Sequence, residues 1–417
     1  MLQKNQALNL FLDYEKKWVI CDQTITWFSK VLLYVLFIRY LSPLQYGEFY
    51  KYFSLAVLFS WIFSPLFVQS SIRLYPLYKS EEYKLFIKNL LHTYFLFLIL
   101  LVIICCYFYL TINNIDNIKL PIIISTLFIS QIYVSTIRDL VNIERHRKKY
   151  AISRFISEII KLILLSFFVI NKFNIIYLFF SLIISDIFQI LFLKNYLNYS
   201  SKLNINPKRR RILLKKILIL GFPLSLLGLV SWFSQYSDRY IIEYFLDLQS
   251  SGKYLAAITF IAVPFNALMM LISIYYTPIL YGINNYKDLN KKILLFIKNI
   301  FIILLIFSSC ISIFLLIFQK FAYIFFGHEY SISSNSYLPI IFGSAFFTLS
   351  SAFMIVLLTL KKTRDMFYVG LMSSFFSLSC FTFVLYFFNY NYIFYAFMFS
   401  KLFSFLFALN MIMNRLK

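Results

Sequence analysis

The sequence predicts an all-α integral membrane protein of about 12 transmembrane helices, in two pseudo-symmetric six-helix lobes around a central cavity. Three observations predict this fold class. The 417 residues are 61% hydrophobic and only 14% charged, with a mean hydropathy of +0.77, which lies outside the range of soluble globular proteins. The apolar residues fall into separate runs of about 20, the length at which a helix crosses a bilayer. The two halves of the chain also resemble each other.

Each predicted helix corresponds to one apolar run, and the connectors between the runs are short and polar. Before the first run, residues 1–17 place Leu8, Phe11 and Leu12 at helical spacing. That segment fits either a short amphipathic helix on the membrane surface or a flexible tail. The twelve runs lie at 20–40, 52–72, 85–110, 120–141, 151–170, 175–193, 217–240, 254–281, 293–318, 337–360, 366–388 and 391–413.

The positive charges support this count independently, because Lys and Arg concentrate in connectors that stay in the cytoplasm. With the N-terminus placed inside, 30 of the 40 basic residues fall on the cytoplasmic side, 7 fall outside and 3 fall within helices. A different number of helices would destroy this asymmetry. The sequence therefore predicts a multi-pass protein with both termini in the cytoplasm.

A long basic connector, 194–216, divides the chain into an N-terminal six-helix lobe, 1–193, and a C-terminal six-helix lobe, 217–417. Its densest part is Lys208-Arg209-Arg210-Arg211 with Lys215 and Lys216. Charge alone would also fit nucleic-acid binding. A topogenic connector resting on anionic lipid headgroups is the favoured reading, so we expect no nucleic-acid partner.

The halves share a pattern at a constant offset of 205 positions. Residues 39–49 and 244–254 align with an aromatic, a Leu, a turn-forming polar residue, a Gly and another aromatic at matching places. Because each half contains an even number of predicted helices, both copies enter the membrane in the same sense. The pseudo-symmetry axis then runs along the membrane normal, as in transporters built from parallel repeats.

The same residues resemble a known family. The sequence Arg-Tyr-Leu-Ser-Pro-Leu-Gln-Tyr-Gly-Glu-Phe-Tyr at 39–50 resembles the first outer loop of the Wzx-type oligosaccharide-unit flippases. These belong to the polysaccharide branch of the multidrug/oligosaccharidyl-lipid/polysaccharide (MOP) exporter superfamily. Residues 237–240 (Ser-Asp-Arg-Tyr) and 252–254 (Gly-Lys-Tyr) are similar to the stretch that opens the second half of these proteins, and Ile72-Arg73 occupies the expected place.

The resemblance implies a flippase rather than an enzyme. Its substrate would be a polyprenyl-pyrophosphate-linked oligosaccharide repeat unit, moved from the cytoplasmic to the outer leaflet of the bacterial inner membrane by alternating access, for O-antigen or capsule biosynthesis. Membrane lipids surround the protein, and the polymerase and chain-length proteins of the same pathway are candidate partners.

Ionisable side chains within the runs are the candidate site, because each costs about 2.5–3.5 kcal/mol at the bilayer centre unless it is paired or meets water. Lys30, Lys161 and Lys401 each lie about ten residues into a run, and therefore at a similar depth. Arg154, Glu158 and Lys161 share one helix face, so Glu158 is able to pair with either base. Asp186 is the other deep carboxylate.

On the flippase hypothesis, cations offset the desolvation of the crossing pyrophosphate. Lys30, Lys161 and Lys401 are then headgroup contacts, while Arg73 and Arg39 mark the inner and outer entrances. Asp238, Arg239 and Glu243 form a gate near the outer end of the run at 217–240. Glu158 and Asp186 are the candidates for coupling to a proton, a sodium ion or the membrane potential.

Structural roles compete with these assignments. Arg154, Glu158 and Lys161 fit an interhelical ion-pair stack equally well, Arg39 an interfacial anchor, and Asp238 with Arg239 a local pair. No carboxylate lies within four positions of Lys30 or Lys401, which favours cavity-facing roles for both. Gly221, Pro223 and Gly228 predict a bend in their helix.

The sequence carries no pattern of catalytic or cofactor chemistry. The three histidines and five cysteines lack metal-ligand spacing, and no glycine-rich phosphate loop is present. We therefore expect no cofactor and no metal. A membrane polymerase or glycosyltransferase of the same pathway is the first alternative, although it would need a larger domain outside the bilayer. A drug or cation antiporter of the same superfamily is the second, although its cavity should be dominated by carboxylates.

Overall fold

The computed structural model describes residues 2–66, 119–143, 146–194, 207–281, 286–317, 328–330, 333–360, 362–388 and 390–416, together with residues 70 and 74. These residues form eleven α-helices and three short 3₁₀ turns. In chain order the helices are α1 Leu2–Tyr40, α2 Pro43–Ser64, α3 Lys119–Ile143, α4 Arg147–Ile170, α5 Ile175–Lys194, α6 Pro207–Phe245, α7 Leu248–Tyr281, α8 Tyr286–Ile317, α9 Tyr337–Thr359, α10 Thr363–Phe387 and α11 Ile393–Leu416.

Each of the eleven helices corresponds to one predicted run, and the predicted run at 85–110 lies outside the described residues. The all-helical class is confirmed. Nine of these helices contain a stretch long and apolar enough to cross a membrane; α2 and α4 do not. In α4 the reason is charge, because Arg154, Glu158 and Lys161 interrupt its apolar surface.

Several helices begin before their predicted runs, and the difference is largest for α1 and α6. α1 is continuous from Leu2, so the segment before the first apolar run extends the membrane helix and is neither a separate surface helix nor a tail. α6 begins at Pro207, ten residues before the predicted 217, so the second half of the basic connector is helical. Proline suits this first helical position because its missing N–H has no partner there and its φ is already helical.

Large apolar side chains face outward along most helices. Ile163, Ile219, Leu271, Phe375 and Ile317 each expose more than 60% of their surface. In water such an arrangement would be strongly unfavourable, whereas lipid tails solvate these side chains as well as a protein core does. The protein is therefore a multi-pass membrane protein.

The duplicated segments adopt the same local structure. α1 ends at Tyr40 and α2 begins at Pro43, while α6 ends at Phe245 and α7 begins at Leu248, with the same offset of 205. In the first copy Leu41 N donates to Phe37 O at 2.9 Å, and in the second Leu246 N donates to Ile242 O at 2.9 Å. The sequence repeat therefore encodes a repeated helix–turn–helix.

Equivalent polar residues cap the second helix of each copy. Ser42 Oγ accepts a hydrogen bond from Gln45 N at 3.3 Å, and Gln45 Oε1 accepts one from Ser42 N at 3.1 Å, which is a capping box. In the other copy Asp247 Oδ1 accepts from Ser250 N at 2.5 Å. Each cap satisfies backbone donors that the first helical turn leaves without partners.

The chain divides into two compact units. The first comprises Met1–Leu36 and Tyr52–Leu229, and the second comprises Phe37–Lys51 and Val230–Lys417. Helices α1, α2 and α6 each contribute residues to both units. In the first unit Ile137, Val141, Tyr150 and Leu193 form a buried cluster that joins α3, α4 and α5. In the second unit α9 is the most enclosed of the nine apolar helices.

Small residues bring α6 against α2 within the first unit. A Cβ on Gly221 would overlap the carbonyl oxygen of Leu66, and one on Gly228 would overlap that of Trp61. Between them, Ser225 Oγ donates to Ile62 O at 2.7 Å. These glycines therefore permit close helix packing of the small-residue kind found in membranes. α6 is helical through Pro223, and the bend expected there stays a prediction.

Candidate functional site

The first unit contains a polar face on α1 that is otherwise surrounded by apolar residues. Asp22, Thr26 and Ser29 are all buried and are spaced i, i+4 and i+7, which places them on one side of the helix. Thr26 Oγ1 donates to the carbonyl oxygen of Asp22 at 2.8 Å, which satisfies its hydroxyl within the helix. The carboxylate of Asp22 and the hydroxyl of Ser29 remain directed at neighbouring helices.

The charged face of α4 has the same spacing and meets this face of α1. Arg154 Nη1 lies 3.6 Å from Asp22 Oδ2, and Ser29 Oγ donates to Glu158 Oε2 at 2.5 Å. The second contact lies closer than the first to the C-terminal end of both helices, so α1 and α4 run in the same direction. Glu158 also forms an ion pair with Lys161, one turn further along α4.

Lys30 adjoins this network and is exposed. Within the part of the chain that the structure describes, its ammonium group makes no hydrogen bond or ion pair. The positive charges of Arg154 and Lys161 and the negative charge of Glu158 all act on it electrostatically. Of the three deep lysines, Lys30 is thus the one whose charge is available, while Lys161 is paired.

Asp186 lies on α5 and belongs to a neighbouring helix contact. Ser130 Oγ of α3 donates to Asp186 Oδ2 at 2.7 Å, and Ser157 Oγ of α4 donates to the backbone oxygen of Ser185 at 3.1 Å. The electrostatic influence of Lys161 and Glu158 reaches Asp186. The two carboxylates named as coupling candidates therefore lie in one polar region of the first unit.

Lys401 belongs to the second unit and is buried. Its Nζ donates to the backbone oxygen of Ser234 at 2.8 Å and lies 5.5 Å and 5.6 Å from the ring centroids of Phe347 and Phe397. Such ring faces stabilise a cation. Beside it, Ser373 Oγ contacts the hydroxyls of Ser234 and Ser404. Within its own unit Lys401 therefore has a hydrogen-bond acceptor and two ring contacts.

Asp238 and Arg239 are adjacent on α6 and both are buried. Arg239 Nε lies 4.0 Å from Asp238 Oδ1. The other carboxylate oxygen, Asp238 Oδ2, accepts a hydrogen bond at 2.7 Å from Tyr254 OH on α7. Tyr254 in turn stacks on Phe394 of α11. Asp238 thus connects three helices of the second unit.

Glu243 is not part of that group. It pairs with Lys51 of α2, whose Nζ lies 2.5 Å from Glu243 Oε1, and both side chains are partly exposed. Tyr240 OH donates to the backbone oxygen of Lys51 at 3.2 Å and holds the same end of α2. Arg39, the predicted outer entrance, is exposed at the end of α1, and Arg73, the predicted inner entrance, lies outside the described residues.

A tyrosine outside the apolar spans packs against the turn between α1 and α2, which is the first copy of the duplicated turn. Tyr330 OH donates to the backbone oxygen of Leu41 at 2.9 Å, and its ring meets Tyr46 edge-on. Burial raises the pKa of Tyr330 well above its usual range, so the phenol stays protonated and remains a donor. The second unit is therefore closed around residues 41–51 by hydrogen bonds, an ion pair and ring contacts.

Sequence reasoning missed Asp22, Ser29, Lys51 and Tyr254 as members of these groups. A signal existed for the first two, because Asp22, Thr26 and Ser29 repeat the i, i+4, i+7 spacing of the charges on α4. In the described part of the chain no three His, Cys, Asp or Glu side chains are grouped closely enough to hold a metal ion.

Comparison with known proteins decides the family. The sequence model of the family described as "Polysaccharide biosynthesis protein" matches residues 18–281, more than half of the chain. The chain belongs to the polysaccharide biosynthesis protein family. No curated protein matches this family member at a significant level.

Solved structures show its fold. The lipid II flippase MurJ, in an inward closed conformation, is similar with a TM-score of 0.68 and 19% identity, covering 94% of this chain and 87% of that one. An inward-facing multidrug resistance MATE family transporter of the MOP superfamily is similar with a TM-score of 0.65 and 14% identity, covering 94% of this chain and 95% of that one. A MOP superfamily transporter from Pyrococcus furiosus is similar with a TM-score of 0.61 and 13% identity, covering 96% of each chain. This family member therefore has the MOP transporter fold.

Proposed function

We propose that this polysaccharide biosynthesis family protein is a Wzx-type flippase. It translocates a polyprenyl-pyrophosphate-linked oligosaccharide repeat unit from the cytoplasmic to the outer leaflet of the inner membrane, by alternating access, for O-antigen or capsule biosynthesis. The division into an N-terminal lobe, 1–193, and a C-terminal lobe, 217–417, with a basic cytoplasmic linker at 194–216, and the placement of both termini inside, belong to the same proposal.

The observation that supports this proposal most is the available cation of Lys30. A pyrophosphate loses most of its hydration when it enters hydrocarbon, and an unpaired anion there faces a cost of many kcal/mol. The ammonium of Lys30 has no carboxylate partner in the described residues, so it is able to pair with an arriving anion. The family and the transporter fold make a polysaccharide precursor the fitting cargo.

The ion pairs next to Lys30 fit a site in which Lys30 stays free to bind an anion. Arg154 pairs with Asp22 and so holds α4 against α1 beside Lys30, while Lys161 pairs with Glu158 on α4 itself. Lys161 and Lys401 become headgroup contacts after the helices around them rearrange, and Arg39 and Arg73 attract the anion at the two entrances. Glu158 and Asp186 are the carboxylates that couple the cycle to an ion or to the potential.

The gate in this proposal lies at the partly exposed ion pair between Lys51 and Glu243, supported by Asp238 and Arg239 on the same helix as Glu243. A charged contact near the membrane surface suits a gate, since water replaces each partner when the contact opens and the net cost is small. Opening this end and closing the other would then be two states of one equilibrium, which the substrate shifts by binding them unequally.

Deleting the gene and analysing the membrane lipids tests the proposal. A flippase predicts that polyprenyl-pyrophosphate-linked oligosaccharide accumulates in the inner leaflet and that surface polysaccharide is lost. If single units are instead exported but never joined into chains, the protein is a polymerase. Complementation with Lys30→Ala at normal abundance should fail, whereas Lys172→Ala, which removes an exposed cation from the turn between α4 and α5, should restore polysaccharide.

A further inference from the structure

The guanidinium of Arg239 is buried, and two of its three nitrogen atoms lack hydrogen bonds within the described part of the chain. Arg239 exposes only 9% of its surface, and its Nε and Nη1 atoms have no hydrogen-bond partner there. The carboxylate beside it, Asp238, lies 4.0 Å from Nε, beyond hydrogen-bond distance. Both oxygens of that carboxylate already accept hydrogen bonds, one from Tyr254 OH and one from the backbone N–H of Arg239 itself.

Leaving buried donors of a charged group without acceptors is strongly unfavourable. A protein therefore retains such a group where a ligand supplies the missing hydrogen-bond acceptors. Among the described residues, an aromatic ring contacts the face of the guanidinium. Arg239 lies 4.5 Å from the ring centroid of Tyr236, and Tyr236 stacks in turn on Trp232. Stacking uses the faces of the planar group, whereas its N–H donors point outward in the plane. The in-plane donors Nε and Nη1 therefore have no partner among the described residues, and because both atoms are buried a ligand reaches them only when the helices around Arg239 move apart.

We propose that Arg239 binds an oxyanion of the translocated molecule, either a phosphate of the headgroup or a carboxylate of an acidic sugar. This inference rests on the proposed function. The N–H donors of a guanidinium lie in one plane and form directional hydrogen bonds with the oxygens of such a group, a geometry that the ammonium of a lysine does not reproduce. Asp238 makes the site reversible, because its negative charge competes with the ligand for the same guanidinium.

The stack of Arg239, Tyr236 and Trp232 supplies a reporter of binding, because an anion that moves the guanidinium changes the surroundings of the indole. The experiment uses the full-length protein in nanodiscs of neutral lipid. Inorganic pyrophosphate and glucuronate are titrated separately at constant ionic strength. Tryptophan fluorescence and calorimetry measure the dissociation constants. We expect a saturable response to one of the two probes, which also identifies whether the ligand is a phosphate or a sugar carboxylate.

Three variants test the assignment. Arg239→Gln should weaken binding about tenfold or more, and Arg239→Lys should weaken it less while keeping the charge. Asp238→Asn should tighten it several-fold, because the competing charge is removed. The matched control is Lys253→Gln, which removes one positive charge from α7 and should leave the constant within about twofold of the wild-type value.

Two results would overturn the inference. One is the absence of saturable binding of either probe to both the wild-type protein and Asp238→Asn, which would make Arg239 the ion-pair partner of Asp238 only. The other is unchanged binding to Arg239→Gln, which would place the anion elsewhere. Since these assays measure binding without transport, a protein that binds the probe but flips no lipid would refute the proposed function and leave the anion site standing.

Discussion

The backbones of Gly47 and Gly252 pack directly against each other, although 205 positions separate them in the chain. A Cβ on Gly47 would lie 2.5 Å from Leu248 O and 3.2 Å from Gly252 N. A Cβ on Gly252 would overlap Pro43 O and lie 3.0 Å from Gly47 N. The two glycines are equivalent positions of the duplication, so the repeat places the same residue on both sides of one helix crossing. Only glycine lets α2 and α7 approach this closely.

Replacing Gly252 by Ala should therefore destabilise the protein, by about 1–3 kcal/mol after allowance for the better helix propensity of Ala. The methyl group meets a backbone carbonyl, which is unable to move aside as a flexible side chain would. Thermal unfolding of the purified protein in detergent measures the change. Ser250→Ala, two positions earlier in the same helix, is the control and should shift stability by less than about 0.5 kcal/mol. Equal melting temperatures for both variants would show that the crossing tolerates a side chain.

The pair of Asp22 and Arg154 should behave as one unit. Asp22→Asn leaves Arg154 largely buried without its carboxylate partner, and should cost about 3 kcal/mol of stability. The double variant Asp22→Asn/Arg154→Gln should recover part of that loss, because no charge remains unpaired. A double-mutant cycle on unfolding measures the coupling. Strictly additive effects would indicate that the two side chains do not interact.

The contact between Lys51 and Glu243 should matter for activity more than for stability. Both partners are partly exposed, so breaking the pair should change the free energy of unfolding by no more than about 1 kcal/mol. As a gate, however, it should respond to charge reversal. Lys51→Glu and Glu243→Lys should each reduce polysaccharide export in complementation, and the double reversal should restore it. Loss of export in the double reversal, at normal abundance, would argue against the ion pair as the gate.

The helices were predictable from sequence because membrane thickness imposes a length of about 20 apolar residues on each span. The starts of α1 and α6 were not predictable in this way. Both helices, Leu2–Tyr40 and Pro207–Phe245, include polar stretches that lie outside the predicted spans. Helix propensity, not hydropathy, governs those stretches. The duplication was visible because the turn at Ser42 and Asp247 needs the same capping chemistry twice.

The partners of the charged residues were less accessible to sequence reasoning. The ion pair of Glu158 with Lys161 follows from helical spacing alone. Glu243 pairs instead with a lysine 192 positions away, which only the packing of α6 on α2 determines. Lys401 donates to a backbone carbonyl. Because every residue has a backbone carbonyl, no pattern of side chains predicts that contact.

Lipid translocation by the purified protein tests directly whether it is a flippase that depends on Lys30. Proteoliposomes would carry a polyprenyl-pyrophosphate-linked oligosaccharide, and an added glycosidase would report how much of the glycan faces outward over time. Wild-type protein and Lys172→Ala should bring the inner pool of glycan to the outer leaflet, whereas Lys30→Ala should leave that pool protected. If empty liposomes and wild-type proteoliposomes expose the glycan at the same rate, the protein is not a flippase for this lipid; if Lys30→Ala is as active as the wild type, Lys30 does not bind the crossing anion.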